Sequence, residues 1–286
     1  MSTVYLNGEF IPKDQAFISV DDRGFLFGDG IYEVTAAYKG QLYHWDRHLA
    51  RASRGLKALR IEFDLSPLEE IHNQLLEKND LLEAPVSYVY LQITRGVAKR
   101  THKFPPNPVE PTVYMFAGEY QRPSRERWEE GYTSVTVHDV RWLRRDLKTI
   151  QLLPNVLGAQ APVDQGADEI VFVQDGMAIE GSHNYLFMVF GDVIVTHPLS
   201  NQILGGITRS VLLELAADLG YQVQERCVPL EEMFTADEIF HSGTLSEVKP
   251  CIAVDGKPIG NGKVGPVTRA LFDAFLADTE RAGRSG

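Results

Sequence analysis

Short apolar runs separated by Gly-, Asn- and Asp-centred breaks dominate this chain, and only a few segments keep apolar residues at helical spacing. Residues 4–6 and 9–11 flank Asn7-Gly8, a dipeptide suited to the tight turn of a hairpin, and predict two antiparallel strands. The same signal recurs at Asp175-Gly176, between 170–173 and 177–179, and at Gly191-Asp192, between 185–190 and 193–196. Strand-like runs also cover 86–94, 112–117 and 133–140. Residues 42–60 are broadly amphipathic and predict a helix in their second half. A clearer helix begins with Ser66 as its cap, Pro67 in the first position and Glu69 three residues after the cap. Its residues Leu68, Ile71, Leu75 and Leu76 share one face. Residues 147–161 read as partly helical despite Pro154, 208–219 as a helix ended by Gly220, and 264–279 as a last helix with Pro266 near its start. Between them, residues 118–131 (GEYQRPSRERWEEG) are polar and charged, the composition of an interdomain connection. The pattern predicts a mixed α/β protein rich in antiparallel strands. Its domains are expected at 1–118 and 125–286, joined by a linker at 119–124.

Composition narrows the function. With 28 Lys+Arg against 39 Asp+Glu, the net charge of −11 argues against a nucleic-acid surface or an anionic membrane footprint, though not against a local pocket for a small anion. No apolar run reaches the roughly 18 residues of a membrane span. The N-terminal residues lack a basic segment followed by an apolar stretch, so a cytoplasmic location is expected. Cys227 and Cys251 are the two cysteines and are expected to be reduced and buried; no metal site is expected.

Several residues could carry chemistry, each with an ordinary structural reading beside it. Lys148 precedes Ile150, Leu152 and Leu153. Drawing it partly inside would favour its neutral, nucleophilic amine, whereas a snorkelling lysine would be merely structural. Glu180 ends a strand-like run before Gly181-Ser182 and is either a hairpin-end acid or a buried partner for a ring nitrogen. Leu204-Gly205-Gly206-Ile207-Thr208 leads into a helix whose first N–H groups suit a phosphate, and Arg51 could add a charged fork. Arg100 and His102 stand two apart, and in an extended segment would point the same way. Together they could hold a carboxylate, with Tyr32 adding a hydroxyl.

These hints fall on one ordered set of motifs. Arg23-Gly24 with Phe27-Gly28-Asp29-Gly30-Ile31-Tyr32-Glu33 opens it, followed by His48 and Arg51, Thr94-Arg95-Gly96, Arg141-Trp142 to Lys148, and Glu180-Gly181-Ser182. Gly206-Ile207-Thr208-Arg209, Thr244-Leu245-Ser246-Glu247 and Pro250 close it. The set resembles the fold-type IV pyridoxal-5′-phosphate (PLP) enzymes along nearly the whole chain. The patterns RGxxFGDGxYEV and TRG(x)3RxHxFP bring it nearest to the D-amino acid aminotransferases. The resemblance implies a barrel-like second domain, PLP carried on Lys148, Glu180 on the pyridine nitrogen, and Leu204 against the ring. It further implies that Arg51, Gly206, Ile207, Thr208 and Thr244 hold the phosphate. Tyr32, Arg100 and His102 would trap the substrate carboxylate, the last two reaching in from the other subunit of a homodimer. The expected reaction is amino transfer between a D-amino acid of the D-Ala, D-Glu or D-Asp type and a 2-oxo acid such as 2-oxoglutarate or pyruvate. Branched-chain L-amino acid or R-amine transfer, or aminodeoxychorismate lyase activity, are the alternatives within the fold. The chain departs from the family pattern at His183, Asn184, Gly243 and Leu245, expected to line the substrate side-chain pocket, and at Gln151, Pro154, Asn155 and Gly158 after the lysine.

Overall fold

The computed structural model describes residues 2–283 in two compact units. The first takes in the described part of Met1–Gln121, Leu147–Gln151 and Thr279–Gly286; the second holds Arg122–Asp146 and Leu152–Asp278.

In the first unit the elements run β1 (Thr3–Leu6), β2 (Glu9–Pro12), α1 (Arg23–Phe27), β3 (Gly30–Tyr38), β4 (Gln41–Leu42), α2 (Trp45–Leu59), α3 (Leu68–Lys78), β5 (Ser87–Thr94) and β6 (Thr112–Glu119). Six antiparallel strands order as β2-β1-β6-β5-β3-β4. The first hairpin forms because Asn7 and Gly8 both take positive φ, 49° and 101°, which matches the twist of the flanking strands. Helix α2 covers most of its amphipathic segment rather than the second half alone. It buries His48, Arg51, Ala52, Gly55 and Leu56, a stripe at i, i+3, i+4, i+7 and i+8. Gly55 permits the close approach, since a Cβ there would stand 3.0 Å from Ile31 Cγ2 on β3. The expected Ser66 cap does not form. Ser66 instead gives its amide and hydroxyl to the Asp64 carboxylate, and α3 starts at Leu68 without a side-chain cap. Its apolar face (Leu68, Ile71, Leu75, Leu76) joins Val89, Leu91 and Met115 in the core, as the spacing predicts.

The second unit contains α4 (Arg125–Glu130), β7 (Tyr132–His138), α5 (Leu153–Gln165), β8 (Glu169–Gln174), β9 (Met177–Ala178), β10 (Tyr185–Phe190), β11 (Val193–Thr196), α6 (Ile207–Asp218), β12 (Gln222–Glu225), β13 (Val228–Pro229), α7 (Leu230–Met233), β14 (Glu238–Gly243), β15 (Glu247–Val254), β16 (Lys257–Pro258) and most of α8 (Pro266–Ala282). Its strands form one curled, half-barrel sheet in the order β12-β11-β10-β14-β15-β7-β8-β9-β13, with β16 on β15. The β15–β7, β7–β8 and β11–β12 pairs are parallel and the rest antiparallel. Part of the polar stretch expected to be only a connection folds as α4, because Ser124 Oγ caps it and Trp128 buries against Phe272 with ring centroids 4.4 Å apart. Strands β14 and β15 have no clean alternation in sequence: Glu238, His241 and Ser242 are buried beside Ile239 and Phe240. Cys251 is buried, whereas Cys227 is exposed, contrary to expectation; both are free. Among the described residues, no helix is long and apolar enough to cross a membrane.

Each unit buries a neutral imidazole. His72 Nδ1 donates to Leu68 O at 2.6 Å, and His241 bridges Asn184 Oδ1 and Ser134 Oγ, both at 2.9 Å. Burial pushes both down to about 4, whereas an unfolded histidine titrates near 6.5. The unfolded chain therefore binds more protons between those values, and stability present above pH 6.5 is lost as pH falls towards 4. The thermal midpoint should drop by on the order of 5–10 °C across that window. In His72→Phe the pH slope should flatten, and an unchanged slope would remove His72 from the account.

Candidate active site

In the first unit, β3 and its approach collect the candidate residues. The segment Leu147–Gln151 is irregular rather than helical and is bridged to β3 at Thr149. Tyr32 N donates to Lys148 O at 3.0 Å, and Ile150 N donates to Gly30 O at 3.1 Å. Lys148 is half-buried, its Nζ 4.0 Å from the centroid of the Tyr32 ring. Tyr32 stacks in turn on Tyr90, centroids 5.8 Å apart.

The next residue on β3, Glu33, points to the opposite face and into the core. Arg51 Nε and Nη2 each donate to its carboxylate at 2.7 Å, and His48 Nδ1 donates at 2.9 Å. Burial alone would raise the Glu33 pKa, but Arg51 and His48 together hold it well below the usual carboxylate range. Burial lowers the His48 pKa, the Glu33 carboxylate opposing it and the charges of Arg51 and Lys148 adding to it. The fork of Arg51 is thus pinned at a fixed angle by a buried anion.

Just before β3, Asp29 accepts Arg23 Nε at 2.8 Å and Arg95 Nε at 2.7 Å. These bonds explain the Arg-Gly and Thr-Arg-Gly motifs as a clamp. Arg100 and His102 follow on an irregular, exposed segment rather than a strand, yet both lie against one ring. Phe27 is 5.2 Å from the Arg100 guanidinium carbon and 5.7 Å from the His102 ring.

In the second unit, Glu180 is buried and accepts Arg141 Nη1 at 2.7 Å. Asp139 grips Arg141 from both sides, at 3.0 and 2.8 Å, and lies 3.0 Å from Arg145 Nη1. Burial raises the Glu180 pKa, and Arg141 opposes it. The Asp139, Arg141 and Arg145 cluster was missed in sequence as machinery; its trace there is the dense Arg and Asp pattern of DVRWLRRD.

Helix α6 starts at Ile207 and Thr208 with Gly206 as its cap residue and no side chain capping its amides. A Cβ at Gly206 would stand 2.2 Å from the Tyr185 ring, so only glycine lets that phenol pack here. Leu204 is half-buried ahead of it. Thr244 and Leu245 are half-buried in the β14–β15 turn, beside two buried hydroxyls, Ser242 Oγ and Ser246 Oγ, that find no partner among the described residues. Gly243 packs closely there, a Cβ on it falling 3.5 Å from His183 O and 3.6 Å from Asn184 Cβ. His183 is exposed and bonded to Ser182 Oγ at 2.7 Å. Asn184 turns inward, its side-chain amide donating to Glu169 at 2.9 Å and its Oδ1 accepting His241 Nδ1 at 2.9 Å, while its backbone carbonyl accepts Gly181 N and closes the Gly181-Ser182 turn.

Comparison with known proteins gives concordant results. The family profile described as Amino-transferase class IV matches residues 30–254. A D-alanine aminotransferase of Staphylococcus aureus (strain N315) is 39% identical over 277 residues, 96% of this chain and 97% of that protein. One of Bacillus licheniformis is 35% identical over 282 residues, 97% and 99% of the two chains. Among solved structures, a branched-chain amino acid aminotransferase of T.th. with pyridoxamine 5′-phosphate aligns with a TM-score of 0.90 at 28% identity, over 97% of this chain and 94% of that one. That of Escherichia coli gives 0.85 at 25% identity, over 96% and 93%.

The Glu33 cluster yields a direct test. Glu33→Gln leaves the buried Arg51 charge without its anion and should destabilise the protein by about 3–5 kcal/mol. Denaturant unfolding at pH 7 measures it, and a loss under about 1 kcal/mol would contradict the pinned-fork description.

Proposed function

The chain belongs to the class IV aminotransferases, and on that footing we propose that it moves the amino group of a D-amino acid to a 2-oxo acid with PLP as cofactor. The substrates are of the D-Ala, D-Glu or D-Asp type, with 2-oxoglutarate or pyruvate as acceptor. The observation that carries the D-specific reading is the pair Arg100 and His102, gathered on one aromatic ring in a chain whose 39%-identical relative bears the name D-alanine aminotransferase. Branched-chain aminotransferases share the fold at lower identity, 28%.

The residues present fit PLP. Lys148 offers a half-buried amine, Glu180 a buried carboxylate, and the start of α6 a row of backbone donors that no side chain caps. When bound, PLP supplies the electron sink that labilises a bond to the amino-acid α-carbon. In this reading Lys148 carries the cofactor and shuttles the α-proton, using an amine set over the Tyr32 ring. Glu180 keeps the pyridine nitrogen protonated, its charge steadied by Arg141. Arg51, Gly206, Ile207, Thr208 and Thr244 receive the phosphate, and Leu204 packs on the ring. Tyr32, Arg100 and His102 hold the substrate carboxylate. Fixing that group while Lys148 works from one side lets a single enantiomer present its α-hydrogen. The side-chain pocket falls to His183, Gly243 and Leu245, with Asn184 supporting the turn from inside.

A homodimer with shared active sites is part of the proposal, with Arg100 and His102 serving the partner. What supports it is exposed apolar surface. Leu153, Val156, Leu157 and Val163 on α5 are 61–69% exposed, and Phe17 and Val20 are 80% and 74% exposed. Two free cysteines accord with a cytoplasmic setting.

Purified protein given D-Ala and 2-oxoglutarate should form pyruvate, and turnover of L-Leu instead would sink the D-specific choice. Lys148→Ala should cut turnover by about a thousandfold or more and abolish the yellow colour. Light scattering should return twice the chain mass, and Leu157→Glu should shift it towards the monomer.

A further inference from the structure

Arg100 and His102 are exposed, and within the described residues neither makes a hydrogen bond or an ion pair. Long cationic side chains in that condition ordinarily sample many rotamers, at an entropic cost when a ligand must order them. Here their shared contact is the Phe27 ring, 5.2 Å from the Arg100 guanidinium carbon and 5.7 Å from the His102 ring centroid. Tying them down with carboxylates would consume donors that a substrate needs. An aromatic face orients a cation and leaves its N–H groups available.

The ring is itself held firmly. Phe27 ends α1, which Asp22 caps by accepting Gly24 N at 2.7 Å, and Gly28 closes the helix in the left-handed conformation at φ 67°. The Arg23 guanidinium carbon packs 4.7 Å from the same ring, and its Nη1 donates to Thr101 O at 2.8 Å. Thr101 is the residue between Arg100 and His102. Arg95 grips both ends of the loop, bonding Asp29 beside Phe27 and lying 3.9 Å from the Phe104 ring centroid. Arg23, held by Asp29 as well as by the ring, thus anchors the backbone at Thr101, and the ring also sets the two flanking side chains.

We propose that Phe27 is a positioning residue for substrate selection, an aromatic platform that orients Arg100 and His102 without occupying their hydrogen-bond donors. The proposal rests on the reading that these two residues receive the substrate carboxylate. Removing the ring's π-face while keeping apolar bulk should therefore weaken carboxylate binding and leave the chemical step intact.

The test compares Phe27→Leu with Phe27→Tyr in the holoenzyme. Phe27→Leu should raise KM for D-Ala about tenfold, with kcat within about twofold, and lower the D/L preference. Phe27→Tyr should restore wild-type values. In NMR spectra the His102 ring protons should lose their ring-current shift in Phe27→Leu and keep it in Phe27→Tyr. Should Phe27→Leu fold poorly, Phe27→Met makes the same comparison. An unchanged KM in Phe27→Leu, or an equal rise in Phe27→Tyr, overturns the platform. Arg100→Ala and His102→Ala separate this from the parent reading. If both leave KM and the D/L ratio untouched, the carboxylate assignment fails; if they raise KM while Phe27→Leu does not, only the platform fails.

Discussion

Two backbone hydrogen bonds, Tyr32 N to Lys148 O and Ile150 N to Gly30 O, organise the first unit's chemistry. They fasten a five-residue segment, distant in sequence, alongside the first residues of β3. The same strand then sorts its neighbours by face. Tyr32 meets the lysine amine on one side, and Glu33 turns inward to fix Arg51 and His48 on the other. Asp29, immediately upstream, clamps Arg23 and Arg95. A one-residue slip of this pairing would turn Lys148 away from the Tyr32 ring. The strand register is therefore a chemical constraint as much as a packing one.

Charge is distributed unusually for an acidic chain. The net charge is −11, yet Arg23, Arg51, Arg95, Arg141, Arg145 and Arg209 are all buried. The first five meet Asp29, Glu33, Asp139 or Glu180 inside, and Arg209 reaches the exposed Glu225. Paired, hydrogen-bonded ions cost far less to bury than isolated ones, and the planar fork of arginine lets one carboxylate set its angle. The acidic excess is left to the surface while the interior holds fixed cations.

Much of the fold was legible in the chain. Hairpins at Asn7-Gly8 and Asp175-Gly176 appear because φ > 0 at both turn residues is a local demand that Asn, Asp and Gly answer locally. The apolar face of α3 was equally plain. Its start was not: Ser66 had the chemistry of a cap but found Asp64 closer to hand. Strand β14 escaped notice because buried His241 and Glu238 break its apolar pattern. Their partners, Ser134 and Asn184 for the first and the amides of Val267 and Thr268 for the second, are about 30 to 107 residues away.

From the sequence alone came the family, the reaction type and the identity of the candidate residues, because reactive groups and their ordered motifs are properties of residue type and spacing. Tertiary structure alone decided how those residues are held. It placed Lys148 in an irregular segment bonded to β3, turned the Asn184 amide inward, and set Arg100 and His102 against Phe27. These are outcomes of long-range pairing, in which a side chain's role depends on which distant partner satisfies its polar atoms and its buried charge. No local pattern encodes that partner.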